Sequence, residues 1–298
     1  MRVLSVSCVL AGLTGLTFAG GASAANLISH FTFDTDASNA VSSSLDGTLE
    51  NGAAISSNAQ VGPGSLRVDG VNDYVNTGTD GLPGAGGGYL SGTVMFWFQA
   101  GSGIITGNRR FIGQQNGNPA SFGSDNRMSF EISTNGAGSV QAFIRTADGS
   151  EVNNRFKFRH EEPGSSTAER FPTDWADGEW QHLAFTWDID SAGLTDSQIF
   201  INGLEVGTVV TESSLEDDPV KAPVLAWEDP GLFLGARNNR ILQGGAADGH
   251  VDGWIDDFRV YDGRLSLTDV QTISGVPEPA TAAVLGLTGL AMLRRRSA

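Results

Sequence analysis

Trp180-Gln181-His182-Leu183-Ala184-Phe185-Thr186-Trp187, followed by Gln198-Ile199-Phe200-Ile201-Asn202-Gly203, carries the clearest strand and turn signals in the chain. The first run is too short and too apolar for a surface helix. It reads as a central strand buried on both faces. The second run ends in Asn-Gly, a pair that accepts the positive φ angles of a two-residue hairpin turn. Leu204 to Val210 is then expected as its partner strand.

The same grammar extends outward in both directions. Leu27 to Phe33 is a short apolar strand, and Tyr89 to Phe98 places Val94, Phe96 and Phe98 on one face. Arg127 to Ser133 and Ser139 to Arg145 predict a hairpin across Thr134 to Gly138. Gly231 to Arg237 and Gly253 to Tyr261 complete the set. One short helix is expected at Leu267 to Ile273, opened by a capping-box pair of Ser266 and Asp269. Many strands, one C-terminal helix and no βαβ alternation predict an all-β fold, an antiparallel two-sheet jelly-roll sandwich. Two long stretches, Thr146 to Glu179 and Glu212 to Pro230, break the rhythm and are expected to be insertions or lids.

Both ends of the chain carry segments of a different kind. Arg2 precedes an uncharged run that ends in Ala22-Ser23-Ala24-Ala25. This is the pattern of a secretory leader, residues 1–24, with cleavage after Ala24 or Ala25. At the other end, residues 276–298 read VPEPATAAVLGLTGLAMLRRRSA. The uncharged stretch Ala280 to Leu293 is about 21 Å long as a helix, short of a bilayer core of about 30 Å. It suits a transient membrane segment, with Arg294, Arg295 and Arg296 held on the cytoplasmic side.

The order Pro277-Glu278-Pro279, apolar run and basic end resembles a PEP-CTERM sorting tail with a hydrophobic sorting helix. The resemblance implies export, cleavage near the triplet by a membrane protease of the exosortase type, and a final place at the cell surface or outside the cell.

The chain has 18 Lys and Arg against 34 Asp and Glu, with 40 glycines and one cysteine. Setting aside Arg2, the three tail arginines and Glu278 leaves 14 basic and 33 acidic residues between Asn26 and Gly275, a net of −19. Nucleic acid and anionic membrane surfaces are poor partners for such a domain. Cys8 lies in the leader, so the domain has no disulfide, metal thiolate or cysteine nucleophile.

Six segments in order carry a second resemblance. They are Phe31 to Asp34, Leu45 to Gly52, Ser65 to Gly70 with Asp73-Tyr74-Val75, Trp180 to Ala184, Ile199 to Gly203, and Ile255 to Tyr261. Together they resemble a laminin-G-like, concanavalin A-like jelly-roll domain covering residues 26–275. The resemblance implies two curved antiparallel sheets face to face, with the chain termini close together. It also implies a non-catalytic binding role toward carbohydrate or protein, often with calcium, while some proteins of this fold are glycosidases.

Three candidate sites follow. A calcium ion needs several hard oxygens, and Asp34, Asp36 and Asp256 can supply them if the terminal strands pair. The alternative is that these aspartates cap turns. Sugar binding needs an exposed aromatic platform. Trp175 and Trp227 lie in the two long insertions and are the candidates, with Trp254 and Arg237 to Asn239 as further parts. The alternative is that the two tryptophans anchor their loops. For catalysis, the E-x-D-x-x-E pattern of glycosidases with this fold is absent, and so are the G-x-S-x-G, H-E-x-x-H and P-loop motifs. His182 reads as a structural histidine, and Trp97, Trp180 and Trp187 read as core. The expected protein is therefore an exported binding module for an extracellular polysaccharide or a surface protein. The alternatives are a structural matrix protein or, third, a glycosidase.

Overall fold

The computed structural model describes residues 25–77, 91–101, 107–117, 127–134, 140–147, 153–159, 178–188, 197–206, 208–210, 231–239 and 245–276. Within these, the strands in chain order are β1 (Leu27–Phe31), β2 (Thr48–Glu50), β3 (Ala54–Ser56), β4 (Ser65–Asp69), β5 (Tyr74–Asn76), β6 (Ser91–Ala100), β7 (Arg110–Gly117), β8 (Arg127–Thr134) and β9 (Val140–Ala147). They continue as β10 (Asn153–Arg159), β11 (Gln181–Asp188), β12 (Gln198–Ile201), β13 (Leu204–Glu205), β14 (Thr208–Val210), β15 (Phe233–Leu234), β16 (Arg237–Asn239), β17 (Ala246–Asp248) and β18 (Asp252–Tyr261). One helix, α1 (Leu267–Ser274), follows.

These strands form two sheets. One has eight strands, in the order β13-β12-β11-β6-β18-β4-β3 with β1 also on β18. The other has ten, in the order β14-β10-β9-β8-β7-β15-β5-β2, with β16 also on β7 and β17 on β16. Every pairing is antiparallel except that of β16 with β7. The core lies between the sheets and is built from alternate positions of each strand. Val94, Phe96 and Phe98 of β6 and Leu183, Phe185 and Trp187 of β11 meet Phe111, Phe130 and Ile132 of the second sheet there. The expected all-β two-sheet sandwich with one short helix is what forms.

β11 is the predicted central strand, flanked by β6 and β12. Its inward residues fill the core, while Ala184 joins Met95, Phe200 and Val270 in a smaller cluster beneath α1. The helix begins as its capping box predicts, with the Ser266 hydroxyl accepting from the Asp269 amide, and it ends at Gly275 in the left-handed conformation. Asn202 and Gly203 both have positive φ, 51° and 70°, as the Asn-Gly turn requires.

Three expectations need correcting. Leu204 to Val210 is not one strand: β13 pairs with β12, but β14 leaves that sheet and pairs with β10 in the other. The stretch from Thr146 to Glu179 is not wholly an insertion, because Asn153 to Arg159 is a regular strand between β9 and β14. Trp180 lies before β11 and is half-buried rather than in the core. Trp187 is fully buried between the sheets, whereas Trp97 is buried on the outer side of the eight-stranded sheet against His182, with ring centroids 5.1 Å apart.

Candidate functional site

The register of the ten-stranded sheet builds its outer face row by row. One unbroken row crosses eight strands and reads Thr48, Asn76, Phe233, Gly113, Glu131, Phe143, Lys157 and Val210. At its middle stands Gly113. A Cβ there would lie 3.0 Å from Cβ of Arg237, so the glycine lets the arginine cross the strand.

Arg237 then reaches two carboxylates. Its Nη1 donates to Oε1 of Glu131 at 2.7 Å, while its Nε and Nη2 donate to the two oxygens of Asp248 at 2.9 and 2.7 Å. Nε of Arg110 donates to the other Glu131 oxygen at 3.2 Å. Glu131 is buried beneath these two guanidiniums. Burial works against the charge on Arg237, but the Asp248 and Glu131 partners outweigh it and raise its pKa. Asn239 also donates to Asp248, at 2.9 Å. Beside the network, Tyr74 stacks on Phe233 with centroids 4.4 Å apart, and His250 lies 6.2 Å from Tyr74.

Glu131 and Asp248 thus sit at two ends of one guanidinium. As arranged, the pair is a rigid clamp that fixes the face on which it lies.

The calcium candidates separate. Asp36 is exposed and accepts from the amide of Ser38 at 2.9 Å, a turn cap, and its pKa is lowered by the Ser38 hydrogen bonds. Asp34 and Asp256 instead grip the same loop from two sides. Oδ2 of Asp256 accepts from the amides of Gln60 and Val61, both at 2.8 Å. The Asp34 carboxylate lies against Gly62, and the carbonyl of Phe33 fills the space where Gly64 would carry a Cβ, at 2.6 Å. Phe33 adopts φ 56° although fully buried, a strained conformation for a bulky residue. Oδ1 of Asp256 is buried without a hydrogen-bond partner. Desolvation raises the Asp256 pKa to about 6, against the pull of the Val61 and Gln60 amides. Among the described residues, no three His, Cys, Asp or Glu side chains converge to hold a metal. A cation at Asp34 and Asp256 would therefore draw its other ligands from backbone carbonyls such as that of Phe33.

Trp175 and Trp227 lie outside the described residues, as do the cleavage positions before Ala25 and the sorting residues Pro277, Glu278, Pro279 and Arg294 to Arg296. Trp254 lies on the eight-stranded sheet. Its ring carries the Arg67 guanidinium at 4.6 Å, and its indole N–H donates to Ser56. His182 is buried, its Nδ1 has no partner, and burial lowers its pKa to about 3, so it is neutral. Arg237 and Asn239 meet in the clamp, but Glu131, Arg110 and Asp248 had no local motif to announce them. The available signal was that Glu131 is the single acid in strands otherwise rich in arginine.

Residues 69–271 match the family model described as the Concanavalin A-like lectin/glucanases superfamily. No curated protein matches the chain. Among solved structures, it is similar to domain 4 of AbnA, an extracellular arabinanase from Geobacillus stearothermophilus, in complex with arabinotriose. That similarity has 17% identity and a TM-score of 0.51, over 84% of this chain and 98% of that one. It is also similar to the binding domain of Paraclostridial Mosquitocidal Protein 1, with 13% identity and a TM-score of 0.52. A third is the botulinum neurotoxin serotype D binding domain, with 14% identity and a TM-score of 0.50. In both toxin cases the match covers 84% of this chain and about half of the other. On the matched residues and the two-sheet architecture, the chain belongs to the concanavalin A-like lectin/glucanases superfamily.

Proposed function

We propose that this chain is an exported, non-catalytic binding module for carbohydrate or protein, acting at the cell surface or in the extracellular matrix. One observation carries the reading. The outer face of the ten-stranded sheet holds a guanidinium–carboxylate clamp beside the half-buried ring of Tyr74, which stacks on the buried Phe233. The similar arabinanase domain, solved with arabinotriose, supports a carbohydrate as the first ligand class to test. The leader and the tail would supply the route, with an exosortase-type protease as a transient partner.

A glycan array probed with the exported protein tests the reading. Binding to a defined set of glycans is expected. An array without signal moves the function to protein partners or to a structural role.

Calcium forms a second part of the proposal, carried by the buried, unpartnered Oδ1 of Asp256. Asp34 and Asp256 would hold the ion, which would supply positive charge to the two carboxylates and fix the 60–64 loop. Thermal unfolding with and without chelator tests this; an unchanged midpoint rules against it.

A further inference from the structure

Helix α1 packs as a third layer on the outer face of the eight-stranded sheet. Met95, Ala184, Phe200 and Tyr261 alternate along their strands with the core residues Phe96, Phe185, Ile201 and Val260, so they face away from the ten-stranded sheet. Val270 of α1 closes over them, with Leu265 and Ile273 beside it.

Both ends of the described domain are fastened to this layer. At the front, Ala25 packs against the same cluster, and a Cβ on Gly263 would lie 3.0 Å from the Ala25 methyl. The Asn26 amide donates to Asp262 at 2.6 Å, and the Asp262 amide donates back to the Asn26 carbonyl at 3.0 Å. At the back, the Gln271 side-chain amide donates to the Gly203 carbonyl at 2.7 Å. Val276 packs against the same glycine, where an added Cβ would lie 2.9 Å from Cγ1 of the valine. Ala25 follows residues 1–24 directly, and only Pro277 to Pro279 separate Val276 from the apolar run that begins at Ala280.

Three residues reach at most about 11 Å. The 250 residues from Asn26 to Gly275 correspond to a radius of gyration of about 18 Å. A spacer shorter than the domain's own radius keeps the layer that carries the attachment next to the bilayer. The clamp lies across the molecule. Ala246 of β17 stands opposite Asn239, shares the face of Asp248 and is exposed. Stacked sheets lie about 10 Å apart and a helix is about 10 Å across, so that face is about 20 Å from α1. A net charge of −19 between Asn26 and Gly275 gives no attraction to an anionic surface. The two attachments, not charge, therefore set the orientation.

We propose that in the membrane-inserted precursor the α1 layer lies against the bilayer and the clamp face of the ten-stranded sheet points away from it. This rests on the reading of residues 1–24 and 276–298 as leader and sorting tail. The clamp face is then directed outward before the tail is cut, and the surface that meets the membrane is α1 with the Asn202–Gly203 turn.

The test places the full chain in phosphatidylcholine vesicles that contain a lipid with a quencher on its headgroup. Cys8→Ser removes the one native cysteine. Thr272→Cys on α1 or Ala246→Cys on β17, both exposed positions, then carries a single fluorophore. Flotation shows whether the chain is attached. Quenching of the Thr272→Cys label is expected to exceed that of the Ala246→Cys label several-fold. If Thr272→Cys lowers the thermal midpoint, Thr268→Cys, one turn earlier on α1, carries the label instead. Equal quenching at the two positions, or stronger quenching on β17, overturns the proposal and leaves the tail reading standing. A chain that does not float removes both.

Discussion

Arg237 and Glu131 meet at 2.7 Å although 106 residues separate them in the chain, and the contact passes over a strand whose crossing residue is Gly113. A long-range ion pair, a glycine without room for a methyl group and a second carboxylate at Asp248 form one unit. Disturbing any part of it should disturb the outer face of the ten-stranded sheet.

Glu131→Gln should destabilise the protein by roughly 2 kcal/mol. That is less than the 3–5 kcal/mol typical of breaking a buried pair, because Arg237 keeps Asp248. Gly113→Ala should cost about 1–2 kcal/mol by pushing Arg237 aside. Since both act on the same contact, the double variant should fall short of additivity. Urea denaturation of the four proteins measures this directly; full additivity would show that Gly113 and Glu131 are independent.

Gly92 packs directly against a core tryptophan. A Cβ there would come within 2.5 Å of the indole of Trp187, which is fully buried. Gly92→Ala should therefore destabilise by about 1–3 kcal/mol through overpacking. It should also shift the tryptophan fluorescence of the folded state. A wild-type midpoint and spectrum would contradict the packing described.

Two buried groups give the stability opposite pH dependences. His182 has its pKa lowered to about 3 from an ordinary 6.5, first by burial. Its contribution is fully present above pH 6.5 and is lost as pH falls toward 3, because the unfolded state binds the extra proton. Asp256 has its pKa raised to about 6 from 3.8 by desolvation. Its contribution is fully present below pH 3.8 and is lost as pH rises through 6. Between pH 6 and 4 the two oppose each other, each with a limiting slope of about 1.4 kcal/mol per pH unit. His182→Gln should remove the acid loss, so that stability in chelator rises as pH falls from 6 to 4. Continued acid loss in that variant would assign the effect elsewhere.

The fold was legible because its signals are local. Alternation in β6, the density of β11, the Asn202-Gly203 turn and the Ser266–Asp269 box each act within a few residues. The misreadings came where the chain changes partners. Val206 still bonds to Ile199, yet Thr208 to Val210 crosses to the other sheet, and no local pattern reports such a switch. Likewise Asn153 to Arg159 falls inside the stretch expected to be an insertion, because a run with Arg155, Lys157 and Arg159 carries a weaker apolar signal than β11. The clamp was illegible for a related reason: Arg110, Glu131, Arg237 and Asp248 lie far apart in sequence, and only the register unites them.

Among the acidic candidates the effects should divide. Asp36→Asn should change stability by less than about 0.5 kcal/mol, as an exposed turn residue. Asp256→Asn should alter the 60–64 loop and, under the calcium reading, abolish any chelator effect on the thermal midpoint. Equal chelator sensitivity in wild type and Asp256→Asn would place the ion elsewhere.

The proposed module binds without cleaving. Affinity electrophoresis of the exported protein through gels containing candidate polysaccharides, with an assay for new reducing ends in the same gels, separates the two. Retarded migration in at least one polysaccharide and no new reducing ends are expected. Reducing ends that accumulate with wild type and vanish with Glu131→Gln would contradict that expectation, because the clamp would then be an active site.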